Sequence, residues 1–425
     1  SRIRIEKEGY DVVDGGSTLT MLRSSVIKLD LLGSIPENMV RVRGGKFALD
    51  IPGLEHLDSV AVGEYLIDKF EVTNKEFKEF MDHGGYQKRE YWKYPFVKNG
   101  HTISWEEAMK DFRDATGRPG PSSWELGTYP EGKSDHPVGG SSWYEAAAFA
   151  EYQGKALPTV YHWNIAAQTW AASYIIPLSN FENKGTVPVG KYTGISPSGT
   201  VDMAGNVREW CFNESSSQKA ILGGGWNDQP YLFNDMYGQP AFDRSITNGL
   251  RCIRILDTAG TSRAAYGNLE KPFREFLKEK PVSDQIFKIY LSLYQYDHTP
   301  LNANIEFSDT TAEWITQKIS LDAAYGGERL MTYLFIPRTS MPPYQTVVFF
   351  PGSNALHTRS SASLPTGNID FIVKSGRAVV YPIYKGTYER DSGLNSDNQS
   401  VTSQYREHVL AWAKDIRRSI DYVES

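Results

Sequence analysis

Cysteine is nearly absent from this chain: only Cys211 and Cys252 occur in 425 residues. That excludes a disulfide framework and a cysteine-rich zinc site, leaving either one bridge or two buried free thiols. No apolar run approaches the ~18 residues a membrane-spanning helix needs. Lysine and arginine number 45 against 51 acidic residues, so a net charge of −6 with interspersed signs leaves no basic stripe for nucleic acid. None of the eight histidines has His-x-x-x-His spacing, so an iron facial triad has no local support. The Gly-x-Ser-x-Gly of a serine hydrolase is missing, as are a kinase's Gly-rich loop, His-Arg-Asp and Asp-Phe-Gly. A leader-like segment is missing too, and the opening Ser-Arg-Ile-Arg reads as part of a larger protein whose compartment is not encoded here.

What is present is length, aromatic residues and punctuation. The length predicts two to three domains. Ten Trp and 25 Tyr suit stacking on sugars or peptides, or the core of a loop-rich fold. Residues 1–34 read as the tail of a β module: Arg2 to Ile5, a bend at Gly15-Gly16, and a strand from Val26 to Leu32. Residues 35–257 mix Gly, Pro, Ser and aromatics with three helices. These follow Thr73-Asn74, Ser142 (whose hydroxyl and Glu145 form a capping box) and Thr159. Residues 258–284 are a polar linker, partly helical around Leu269 to Lys278.

Residues 285–425 change character. Strands at Trp314 to Leu321 and Leu330 to Ile336 flank a Gly326-Gly327 turn. Thr346 to Phe350 and Ala378 to Tyr381 suit a mostly parallel sheet, with a crossover helix at Asn368 to Ser375 between them. The last helix carries Tyr405, Val409, Trp412, Ile416, Ile420 and Val423 as a stripe predicted to face that sheet. The fold class is α+β. Gly127 to Ser134 satisfies the P-loop pattern, but Pro137 forbids the helix that phosphate binding requires, so the match is accidental.

Five blocks occur in a fixed order: Ile67 to Asn74; His136-Pro137-Val138 with Ser142-Trp143 and Glu145-Ala146; Lys155 to Thr159; Asp202 to Trp210; and Gly249 to Cys252. Leu222 to Trp226 adds a glycine run. Together they resemble the formylglycine-generating enzyme, or sulfatase-modifying factor, family. The resemblance implies a C-type-lectin-like fold built around one or two calcium ions, with Gly205-Asn206 at a tight turn. Asn206 and Glu209 offer hard oxygens suited to calcium. Alternatively, Asn206 caps a turn and Glu209 pairs with Arg208 or Arg251. A second family calcium site falls near Asn180-Phe181, beside Glu182.

Catalysis in the family uses Cu(I) held by two thiolates, and those positions fall on Asp228 and Phe233. Soft copper needs soft ligands, so copper-dependent cysteine oxidation is not expected here. A groove near Trp226, Asp228 and Arg244 is instead expected to bind a peptide, protein or sugar without turnover. A harder metal at Asp228 is a further alternative.

The final region resembles the first half of an α/β-hydrolase of the esterase and prolyl-peptidase kind. Phe349 to Asn354 would occupy the loop that donates an oxyanion-hole amide, from Ser353 or Asn354. The nucleophile would then lie beyond Ser425, making the chain an accessory part of a serine hydrolase. The whole order resembles bacterial multidomain signalling proteins that begin with a serine/threonine kinase, so covalently linked kinase and hydrolase regions are the expected partners.

Overall fold

The computed structural model describes residues 2–16, 27–272, 275–394 and 402–425. Contact density divides the chain into two units, Ser1–Arg274 and Glu275–Ser425.

The larger sheets of the first unit have three and four strands. In one, β3 (Met39–Val42), β4 (Tyr65–Asp68) and β9 (Ile253–Ile255) pair antiparallel with β4 central. In the other the order is β7 (Tyr237–Gln239), β6 (Gln218–Leu222), β5 (Arg208–Ser215) and β8 (Asn248–Gly249); the β8 pairing is parallel, and β6 is bulged between Lys219 and Ile221. Three helices form where the capping residues direct. The first, α1 (Asn74–Asp82), begins with a reciprocal Thr73–Glu76 box. The second, α2 (Trp143–Tyr152), begins with the Ser142–Glu145 box. The Thr159 hydroxyl accepts from the His162 amide to start α3 (Val160–Ala167).

The aromatic residues fill two adjoining cores. Phe77 stacks on Phe149 at 5.4 Å, and Phe80 meets both edge-on, beside Trp124, Trp143 and Trp210. Tyr65, Trp163 and Phe233 anchor the other core. The two cysteines are free and buried, Cys211 in one core and Cys252 in the other.

Near the N-terminus, β1 (Arg2–Ile5) pairs antiparallel with β2 (Val13–Gly16). Gly15-Gly16 is therefore a strand end, not a bend. Its glycines are needed for close approach: a Cβ would lie 2.8 Å from the Pro197 carbonyl oxygen at Gly15 and 2.8 Å from that of Ile195 at Gly16. The expected strand at Val26 to Leu32 is not regular; Val26 lies outside the described residues, and Leu31 makes only an isolated bridge to Tyr10.

The expected helix at Leu269 to Lys278 does not form as such. Residues 273–274 lie outside the described residues, and only Phe276–Lys278 makes a 3₁₀ turn. Leu269 is buried and donates its amide to the Glu214 carbonyl, while Pro272 disfavours helical backbone at Lys271. The helix begins later, at α4 (Asp284–Ser292), capped by Ser283.

The second unit contains one five-stranded sheet ordered β10 (Asn304–Thr310), β11 (Trp314–Asp322), β12 (Arg329–Pro337), β14 (Ala378–Ile383), β13 (Thr346–Val348). It is mostly antiparallel, contrary to the sequence expectation. Gly326 and Gly327, with φ of 66° and 64°, turn β11 back on β12, and a hairpin can only be antiparallel. Only β13 and β14 run parallel, joined through α5 (Asp370–Lys374).

The long α6 (Ser403–Glu424) buries a different face from its apolar stripe: His408, Ala411, Asp415, Arg418 and Ser419 point inward, while Ile420 and Val423 are exposed. Polar partners explain this. Asp415 accepts from Tyr325 (2.9 Å), Arg390 (2.7 Å) and the Lys385 amide (3.0 Å), and Arg418 donates to the Asp322 and Pro300 carbonyls.

Candidate functional site

Three of the five blocks, Ile67 to Asn74, Asp202 to Trp210 and Gly249 to Cys252, meet in the first unit at a buried ionic centre. Glu209, on β5, and Arg251, just before β9, are both fully buried and 2.7 Å apart. Glu209 also accepts from the Trp163 indole at 2.7 Å, while Arg251 donates to the carbonyls of Asp68 and Val201. Of the two arginines considered for Glu209, Arg251 is the partner.

Asn206 occupies the expected left-handed turn, with φ of 61° beside Gly205 at 76°. Its amide nitrogen donates to Glu71 at 2.7 Å, and its oxygen accepts from the Val187 amide and the Asn180 side chain. Glu71 is thereby enclosed, accepting also from the Val207 amide at 2.9 Å. Burial, with Asp202 and Glu209 nearby, pushes its carboxyl well above the usual range. Burial also raises Asp202 to about 6, although the Gly190 amide donates to it at 2.6 Å. The sequence reading missed Glu71; its place between Phe70 and Val72 in a motif block was the available signal.

These contacts bear on metals. Asn206 and Glu209 already spend their oxygens on protein donors, so they do not fit a calcium shell. Near the second position, Asn180 is buried and hydrogen-bonded to Gly185 and Asn206, and Glu182 pairs with Tyr192 and Lys184 at the surface. Among the described residues, no group of three or more His, Cys, Asp or Glu could hold a metal ion.

Asp228 is gripped by Arg208 through two bonds of 2.6 and 2.5 Å and accepts from the Gly225 amide at 2.7 Å. Phe233 is fully buried against Trp163, ring centroids 5.8 Å apart. The donor set at the two thiolate positions is thus a neutralised carboxylate and a core ring, which fits neither copper nor a harder ion. Burial raises both cysteine thiols well above their ordinary value, and neither lies at these positions.

Arg244 is equally committed. It holds Glu145 at 2.8 and 2.9 Å and donates to the carbonyls of Asp111, Arg113 and Gly120. Trp226 is half-buried, its amide donating to the Asn206 carbonyl at 2.9 Å. The three residues expected around one groove are therefore each fixed by different partners.

Two histidines bond within the fold: His136 Nδ1 with Thr186 at 3.1 Å and His162 Nδ1 with Thr159 at 2.6 Å. Burial lowers His162 to about 4. Lys133, in the P-loop-like run, offers its carbonyl to Asn74, and no helix follows.

In the second unit, Ser353 and Asn354 begin a 3₁₀ turn, Ser353–Leu356. Among the described residues no acceptor takes either backbone N–H, as expected of a first helical turn. Ser353, but not Asn354, borders a cavity of about 160 Å³ walled also by Phe350, Gly352, Tyr384, Tyr405 and Trp412.

Small sheets, capped helices and a buried acid–arginine centre define a mixed α/β domain in which three of the signature blocks meet. Residues 32–256 match the sulfatase-modifying factor enzyme 1-like domain, and the chain belongs to that family. It is similar to serine/threonine-protein kinase pkn1 of Chlamydia caviae, 30% identical over 43% of this chain and 30% of that protein. It is similar to hercynine oxygenase of Mycolicibacterium smegmatis, 26% identical over 66% of this chain and 64% of the relative. It is also similar to inactive C-alpha-formylglycine-generating enzyme 2 of Bos taurus, 27% identical over 45% of this chain and 77% of that one. The family thus includes active oxidases and inactive forms, and this chain spans under two thirds of the first two relatives. Among the described residues, no helix is long and apolar enough to cross a membrane.

Proposed function

We propose that the 32–256 domain is a non-catalytic recognition module on a C-type-lectin-like scaffold. One observation carries the reading. Where the family resemblance calls for two thiolates, Asp228 is neutralised by Arg208 and Phe233 is sealed in the core. A soft-metal oxidation has nothing to hold its ion there. The ligand, a peptide, protein or sugar, meets the half-buried Trp226, while Asp228 and Arg244 brace the surrounding loops. Purified protein incubated with copper and a cysteine-containing peptide is expected to leave the peptide unoxidised; accumulation of an aldehyde product would overturn the reading.

For the second unit a hydrolase origin has its own support. A parallel strand, β13, runs into a loop with two unpaired amides, of which Ser353 borders a cavity, and this is how an α/β-hydrolase supplies part of its oxyanion hole. On this reading the family nucleophile lies beyond Ser425, and the kinase relatives support a multidomain parent. A version extended past Ser425 is expected to react with a serine-directed phosphonate at the added segment. No reaction there would remove the idea.

A further inference from the structure

Ser392 and His408 carry geometry that the readings above do not use. The Ser392 hydroxyl lies 2.5 Å from His408 Nε2. His408 Nδ1 lies 2.7 Å from the Gln404 carbonyl oxygen. A carbonyl only accepts, so Nδ1 carries the ring proton and Nε2 presents its lone pair to the serine O–H. That is the tautomer a general base needs, fixed here by a main-chain carbonyl. His408 is buried and Ser392 half-buried.

Neither member of the pair lines the apolar cavity itself; both pack behind residues that do. Tyr405 and Trp412 wall that cavity, and they flank His408 on α6 at three and four residues; the His408 and Trp412 rings are 6.2 Å apart. Thr387 lines the same wall, and its neighbour Gly386 packs directly on the pair. A Cβ at Gly386 would stand 3.2 Å from both His408 Nε2 and Ser392 Oγ, and φ of 82° favours glycine there. The Ser353 amide lies on the cavity's rim.

From this geometry we infer that Ser392 and His408 form a serine–histidine dyad that accepts an acyl group from a small ester held in the adjoining cavity. At about 160 Å³ the cavity suits a short or single-ring acyl group. Ser392 Oγ bonds to the ester carbonyl carbon as its proton passes to His408 Nε2. The ester C–O bond breaks, and that proton leaves with the alkoxide. Water then attacks the acyl carbon, giving its proton through His408 back to Ser392 as the carboxylic acid departs.

The inference is independent of the recognition reading and, unlike the hydrolase reading, needs nothing beyond Ser425. The test is treatment of the 425-residue chain with a fluorophosphonate probe, followed by peptide mass mapping and 4-nitrophenyl acetate hydrolysis. The adduct is expected on Ser392 and absent in Ser392→Ala. In His408→Gln, which can keep a hydrogen bond to Ser392 without acting as a base, both reactions are expected to slow about a hundredfold or more. Absence of an adduct at Ser392 in the unsubstituted chain, or unchanged rates in His408→Gln, would overturn the proposal. The mapping decides even if a variant fails to fold.

Discussion

The two units differ in how much apolar surface they leave uncovered. In the first, rings and aliphatic side chains enclose one another, and the charges at its centre are buried with them around Arg251. In the second, the inner face of α6 is polar, while α4 leaves Phe287, Ile289 and Tyr290 more than half exposed and β10 is exposed throughout. Contiguous exposed apolar surface marks a place of contact, whereas a buried ion pair marks a place that single substitutions damage. Sensitivity to substitution should therefore differ sharply between the first unit's buried centre and the second unit's exposed α4.

The largest effect is expected at Arg251. Arg251→Met removes the one guanidinium bonded to Glu209, leaving that carboxylate buried near Glu71 and Asp202 without a counter-charge. Breaking such a pair costs about 3–5 kcal/mol, and urea unfolding monitored by tryptophan fluorescence should show the first unit near its stability limit. A loss below about 1 kcal/mol would mean that the centre relaxes or admits water. Phe80→Ala comes next, at about 3–4 kcal/mol, because its ring touches Phe77, Tyr86 and Phe149 and leaves a cavity rigid neighbours cannot fill.

Local chemistry was legible in the sequence; distant pairing was not. The boxes at Thr73–Glu76 and Ser142–Glu145 span three residues, so helix starts could be read directly. Gly205-Asn206 announced its turn for the same reason. Asp228's partner Arg208 lies twenty positions away on a neighbouring strand, and no local pattern joins them. The α6 stripe misled because periodicity assumes that apolar side chains point inward. Asp415 and Arg418 reverse this by satisfying carbonyls and hydroxyls of the loops beneath.

The first unit's charges also predict a pH response. Asp202, raised from 3.8 to about 6 in the fold, binds its proton more tightly folded than unfolded. Its contribution is therefore complete below about pH 4 and is lost as pH rises through 6, a change of about 2–3 kcal/mol. Glu71 shifts in the same direction. Asp202→Asn can still accept from the Gly190 amide without ionising, so it should flatten stability between pH 4 and 7. A variant whose profile matches the parent would assign the response to other groups.

The smallest stability effect, and the sharpest contrast with Phe80, is expected on α4. Phe287 is 56% exposed, so Phe287→Ala deletes a ring that has little packing to lose. Its cost should stay within about 0.5 kcal/mol. The same change should lower binding of a hydrophobic dye such as ANS, because the exposed patch formed with Ile289 and Tyr290 shrinks. If Phe287→Ala instead destabilised as much as Phe80→Ala, α4 would be covered in solution, and the contrast between the units would fail at its most exposed point.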